Sequence, residues 1–153
     1  MTTKYEIFVN AVAYALEDHS FSMKWYFDFD EQDTMAVCRD TGLSPEKGHH
    51  VLYIEPIPSW QCFAIMEDFI ESLSDERIQD KLYSALRQRH PFSSFQGALH
   101  NTGVREDWFA FKNERMKYWV ERWMQDNGVS FQNDRAVCDH AMVWEDEDEE
   151  EGF

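Results

Sequence analysis

Cations, cysteines and glycines are all scarce in this 153-residue chain, and each scarcity excludes something. Fourteen Lys and Arg stand against thirty Asp and Glu, a formal charge of −16. Affinity for a nucleic-acid backbone comes from Lys and Arg displacing its counterions, so a chain this anionic is repelled by long nucleic acid at a distance. Cys38, Cys62 and Cys138 are odd in number and far apart, which argues against a disulfide framework. Cys62 falls in an apolar helical pattern, the usual place for a small buried thiol. Six scattered glycines form no phosphate-cradling loop. Gly-x-Ser-x-Gly and His-Glu-x-x-His are absent, so nucleophilic and metalloprotease chemistry find no support. No apolar run approaches the roughly 18 residues of a membrane span; the longest is Ala11 to Leu16. The opening Met-Thr-Thr-Lys-Tyr-Glu has no export-signal pattern, so a cytoplasmic location is expected.

What the chain has is hydrophobic residues at 43% and aromatic residues at 16%, enough to bury a sizeable core. A wholly disordered chain or a fibrous repeat is therefore excluded. The charge is laid out unevenly. Residues 1–76 hold fifteen acidic and four basic side chains, a net of −11. Residues 77–122 reverse this with five acidic and nine basic, a net of +4, and residues 123–153 return to −9. Glu145 to Glu151 is an unbroken acidic run without apolar periodicity, expected to be a solvated, disordered tail over 145–153.

Hydropathy periodicity predicts an α+β fold in a single domain over 1–144. Ile7, Phe8, Ala11, Val12, Ala15 and Leu16 recur at helical spacing within a first helix, 4–18. The aromatic-rich stretch from Met23 and the segment Thr34 to Cys38 read as a hairpin over 23–38, broken at Glu31-Gln32-Asp33. A third strand, 51–54, stops at Pro56 and Pro58, which cannot continue a ladder. Four helices follow at about 60–73, 75–88, 91–102 and 105–126. Ser74 is the expected N-cap of the second of these, and Pro91 suits the first turn of the third. Ala136 to Trp144 reads as a last short strand. The expected core is Phe63, Met66, Ile70, Leu82, Phe92, Phe95, Leu99, Trp108, Trp119 and Trp123.

Several spacings carry a family resemblance. Tyr53-Ile54-Glu55-Pro56-Ile57-Pro58 precedes Met66-Glu67-Asp68-Phe69. Then come Leu86-Arg87-Gln88-Arg89-His90-Pro91-Phe92, Phe95 and Leu99, followed by Trp108, Phe111, Arg115, Trp123 and Gly128. Over Tyr53 to Gly128 the chain resembles the uncharacterised bacterial family UPF0158, whose block runs Leu-Arg-Gly-Arg-Gly-Ala-Phe. This chain departs from it at Gln88, His90 and Pro91. Any close ligand approach that the family's glycines allow is thereby put in question here. The resemblance implies a related fold and brings no activity, cofactor or catalytic residue.

The basic middle is the most informative chemical feature. Arg87, Arg89 and His90 fall at a helix end, where cations offset the dipole by about 0.3–1 kcal/mol each. Lys112 lies inside the aromatic face of the long helix and Arg115 at its margin. Each must reach solvent, stack on an aromatic ring or meet a carboxylate. For Arg115 an internal ion pair or cation–π contact is expected. The alternative is an anion- or partner-binding set of Arg87, Arg89, His90, Phe92, Trp108, Lys112 and Arg115.

Asp28, Asp30 and Asp33 imitate the start of a calcium loop, but Asp33 stands where such a loop needs glycine. A zinc site from Cys38, His49 or His50, Cys138 and His140 would need the last strand beside the hairpin. Strand-edge charges, loop histidines and a half-buried cysteine are the preferred readings, so no metal, cofactor or catalytic residue is expected. The leading functional expectation is a non-enzymatic protein-interaction module for a basic protein partner. A nucleic-acid or nucleotide binder through residues 77–122 is the alternative. A further one is an acidic DNA-mimic inhibitor using faces such as Glu67, Asp68 and Glu71.

Overall fold

The computed structural model describes residues 1–145, so the acidic tail expected over 145–153 lies, beyond Glu145, outside the described residues. In chain order the elements are α1 (Lys4–Glu17), β1 (Lys24–Asp28), β2 (Asp33–Val37), β3 (His50–Ile54), α2 (Ser59–Ser72), α3 (Glu76–Leu86), α4 (Pro91–Leu99), α5 (Arg105–Asn127), β4 (Val129–Gln132), β5 (Arg135–Cys138) and β6 (Met142–Val143). The fold is α+β. Two compact units emerge, Met1–Pro56 with the chain from Lys117 onward, and Ile57–Met116.

The first unit is built on a four-stranded antiparallel sheet in the order β2-β1-β3-β6. Strand side chains alternate between faces, so the pairings Trp25↔Ile54 and Phe27↔Leu52 gather an apolar face. Phe27 of that face meets Phe8 of α1 edge-on at 5.1 Å. Helix α1 starts in a reciprocal capping box. The Glu6 N–H donates to Thr3 Oγ1 at 3.1 Å, and the Thr3 N–H donates to Glu6 Oε2 at 3.0 Å. It buries Phe8, Val9, Val12, Ala15 and Leu16, at about 1.5–3 kcal/mol for each large apolar side chain. Ile7, placed on the buried stripe by periodicity, is instead 58% exposed, and Val9 is buried in its stead.

The segment read as one strand from Ala136 to Trp144 is two strands in different sheets. β5 pairs with β4, and β6 pairs with β3. β4 was missed because its turn signal is Asn133-Asp134 rather than a glycine. Both residues take positive φ, 52° and 61°, the geometry of a two-residue hairpin turn that Asn and Asp tolerate. β6 covers only His50 and Val51 of β3. Further along that edge, Trp123 Nε1–H donates to the Tyr53 carbonyl at 3.2 Å.

In the second unit, Asp75 rather than Ser74 caps α3. Its carboxylate accepts from the N–H groups of Arg77 and Ile78, which are two orphan donors of the first turn. Gln79 reaches back to the Ile70 carbonyl at 2.9 Å and satisfies one of the last groups of α2. The core is aromatic. Trp108 is wedged between Phe95 at 4.9 Å and Phe69 at 5.4 Å, both edge-on, the arrangement ring quadrupoles favour. Ile70, Leu82, Leu99 and Met116 complete it. Phe92, expected inside, shares the stripe of the buried Phe95 and Leu99 but sits in the first turn of α4, at the helix end, and is 37% exposed.

Candidate functional site

The seven residues expected to bind an anion or a partner all lie in the helical unit, and the fold sorts them into two groups. Arg87 is the C-cap residue of α3, and its N–H bonds the carbonyls of Ser84 and Ala85. Arg89 and His90 follow in the connection to α4, with His90 at its N-cap position. Together with Phe92 they are exposed to solvent at this α3–α4 corner of the chain. Arg87 and Arg89 make no side-chain ion pair among the described residues.

The other three are engaged in the unit's own packing. Trp108 is 2% exposed with an aromatic edge on either side, so it offers no face to a base. Its Nε1–H has no hydrogen-bond partner among the described residues. Lys112 is half-buried, with Nζ 5.4 Å over the Phe109 ring. Arg115 does both things open to it. Nη1 donates to Asp68 Oδ2 at 2.7 Å, and the guanidinium lies 4.8 Å over Phe111. Its charge is answered inside the unit.

A second constellation lies in the first unit, at the β1–β2 turn and the entry to β3. Asp28, the last residue of β1, is 3% exposed and is the buried charged side chain of the described residues. Its Oδ1 accepts from the Asp30 and Glu31 N–H groups at 2.9 and 3.0 Å, which ties the turn. Its Oδ2 lies 2.7 Å from His49 Nδ1. The other ring nitrogen of His49 is 3.4 Å from Glu46 Oε2. Asp30 Oδ2 accepts from the His50 N–H at 2.6 Å and faces the His50 ring at 3.1 Å. Gly48, at φ 89°, turns the chain into this position. Trp144 then grips the backbone around His49: Gly48 N–H donates to the Trp144 carbonyl, and Trp144 N–H donates to the His49 carbonyl at 2.7 Å.

The electrostatics follow from these contacts. The Asp28 carboxylate holds the His49 imidazole above its ordinary pKa; burial opposes it, and the charges of Asp28, Asp30 and Glu46 add to it. The His50 N–H, and then its ring, hold the Asp30 carboxyl below the usual range.

Sequence reasoning saw the halves of this cluster separately, as aspartates of a failed calcium loop and as histidines of a thiol-containing zinc site. Asp33 turns instead to its own neighbour, accepting from the Thr34 N–H at 2.8 Å. Cys138 Sγ–H donates to the Asn127 carbonyl. Among the described residues the grouping able to hold a cation is Asp28, Asp30 and His49, not the cysteine-containing set.

The molecule is thus an α+β protein with an anionic sheet unit and a helical unit whose basic corner faces solvent. The chain belongs to the uncharacterised protein family UPF0158, whose model matches residues 10–143. It is 30% identical over 88 residues to the UPF0158 protein PA5073 of Pseudomonas aeruginosa. That match covers 57% of this chain and 58% of the relative, less than two thirds of its length. No solved structure matches the chain at a significant level.

Proposed function

We propose that the chain is a non-enzymatic cytoplasmic interaction module whose anionic unit docks on a positively charged protein. The supporting observation is where the charge falls. Residues 1–56 and 117–153 hold 21 acidic and 7 basic side chains, a net of −14, while residues 57–116 hold nine and seven, a net of −2. One-signed charge concentrated on part of a molecule steers an opposite partner and fixes its orientation more than it adds raw affinity. The cytoplasmic placement leans on three cysteines that form no disulfide among the described residues and on the lack of a helix, among the described residues, long and apolar enough to cross a membrane.

The test is affinity capture from native lysate at low and high salt, with and without nuclease. A basic protein that survives nuclease and is released by salt is the expected result. Recovery of the bare chain at low salt contradicts the reading.

One observation favours a second reading, a nucleotide or short nucleic-acid binder. Arg87, Arg89, His90 and Phe92 are all exposed within six residues, at the end of α3, in the connection and in the first turn of α4. On that reading, Arg87→Ala with Arg89→Ala weakens oligonucleotide binding, and deleting residues 145–153 strengthens it. Unchanged affinity in both excludes it. A DNA-mimic role has less to stand on, because Asp68, one of its three phosphate-like charges, is spent on Arg115.

A further inference from the structure

We propose that Asp28, Asp30 and His49 bind a divalent transition-metal ion at the junction of the β1–β2 turn and β3. One ligand atom from each, all within 4.8 Å of one another, converges there from segments about twenty residues apart in sequence. The proposal stands independently of the docking reading.

Four features set this cluster apart from a surface patch of acids. First, the donor set is mixed. An imidazole with two carboxylates suits manganese, iron, cobalt or zinc. Calcium and magnesium take oxygen, and cuprous copper takes sulfur. Second, Asp28 is a carboxylate only 3% exposed, and its Oδ2 faces His49 Nδ1 at 2.7 Å. A charge taken out of water needs a compensating cation, a role that a protonated His49 or a metal at this position fills.

Third, the first donors are already close. Asp28 Oδ2 and His49 Nδ1 are 2.7 Å apart, near the roughly 3 Å that separates neighbouring ligands on a metal with bonds of about 2.0–2.2 Å. Fourth, the outer contacts are those a metal-bound histidine and carboxylate need. With Nδ1 on the metal, His49 carries its hydrogen on Nε2, where Glu46 Oε2 waits at 3.4 Å. Asp28 Oδ1 is anchored by two backbone N–H groups, and Asp30 Oδ2 by the His50 N–H. The hydrogen bonds from Trp144 and Gly48 fix the backbone of His49.

From a His49 protonated on both ring nitrogens, binding releases one proton: the Nδ1–H bond breaks, the nitrogen lone pair goes to the metal, the proton leaves to solvent and Nε2 keeps its hydrogen. Three protein donors leave coordination positions open to water or to a carboxylate from a partner.

The experiment uses the full chain without an affinity tag. Cobalt(II) is titrated by calorimetry and by visible absorption, and manganese(II) by its paramagnetic broadening of imidazole proton resonances. The expected result is uptake of one cobalt per chain with a visible d–d band, and broadening confined to His49 and His50. Asp30→Asn, an exposed change that leaves the fold intact, weakens cobalt by more than about tenfold, a loss typical even for an outer-shell partner. His49→Gln removes the site, while Cys38→Ser leaves it unchanged. Absence of stoichiometric uptake by the folded wild-type chain overturns the proposal, and so does undiminished uptake in Asp30→Asn and His49→Gln together.

Discussion

The side chain of Gln32 stands in for a missing β-strand, and its removal gives a stability loss that can be worked out in advance. Gln32 sits in the turn between β1 and β2 at φ 58°, a left-handed conformation costing an ordinary residue about 1–2 kcal/mol. Its amide is held by three hydrogen bonds. Nε2–H donates to the carbonyls of Phe29 at 2.7 Å and Ala136 at 2.9 Å, and Oε1 accepts from the Ala136 N–H at 2.7 Å. Ala136 is on β5, 2% exposed, and these are its backbone groups on the side away from β4. In Gln32→Ala both groups lose their partner within the interior. At about 1–3 kcal/mol for each stranded group, the expected loss is about 3 kcal/mol. That is a large share of the roughly 5–15 kcal/mol of a typical domain. Urea unfolding followed by tryptophan fluorescence reads it as a midpoint lower by about 1–3 M, given slopes of about 1–3 kcal/mol per M. Gln32→Glu keeps the acceptor but turns the donor into a carboxylate facing two carbonyls, so its loss is expected to be at least as large. A loss below about 0.5 kcal/mol in both variants refutes the strand-substitute reasoning.

Other outcomes follow from the same contacts. Trp108→Phe removes a buried N–H that has no partner among the described residues, which offsets much of the lost volume. The expected change is within about 1 kcal/mol, against about 3–5 kcal/mol for Trp108→Ala, both read by chemical unfolding. Arg115→Ala and Asp68→Asn break a pair whose side chains are about half exposed, so each is expected to cost under about 1 kcal/mol, less at high salt. Asp18 accepts from Trp25 Nε1–H and Ser20 Oγ–H, both at 2.6 Å. Partial burial raises its pKa; the bonds from Ser20 and Trp25 outweigh that and hold it below the ordinary value. A folded-state pKa below the unfolded one means stability present above about pH 4 and lost as pH falls through the folded value. Asp18→Ala should therefore destabilise at pH 7 by about 1–2 kcal/mol, with the difference fading below about pH 3. A difference that persists unchanged in acid assigns the effect to packing instead.

The helices were legible because each carries its own signal. The stripe of Met66 and Ile70 on α2, the apolar face of Leu82, Ala85 and Leu86 on α3, the Pro91 start and the long aromatic face of α5 all appear locally. Where the reading slipped, the deciding signal was either weak or remote in sequence. β4 pairs with β5 across a two-residue turn that carries no glycine, and β6 joins β3 some ninety residues away, beyond any local window. Ser74 and Asp75 are both good caps, and only the geometry selects the second. Trp108 was drawn into a ligand set because periodicity gives the face of a residue but not what lies opposite. Its ring proved to be the centre of the helical core. The Asp28–Asp30–His49 cluster was invisible for the reason that makes it notable, since each half is unremarkable alone and the register of β1 with β3 brings them together. Arg115 was read more directly: a cation at the margin of an apolar face must find a carboxylate or a ring, and it finds one of each.

The proposal with most at stake is that the anionic sheet unit engages a cationic protein. The most direct measurement is capture by the immobilised chain from nuclease-treated lysate, eluted along a salt gradient and identified by mass spectrometry. A version with Asp30, Glu31 and Glu46 changed to their amides runs in parallel. The account requires a basic protein that elutes with salt and is retained less by the amide version. Equal retention by both versions, or a chain that comes through without a companion at low salt, contradicts it.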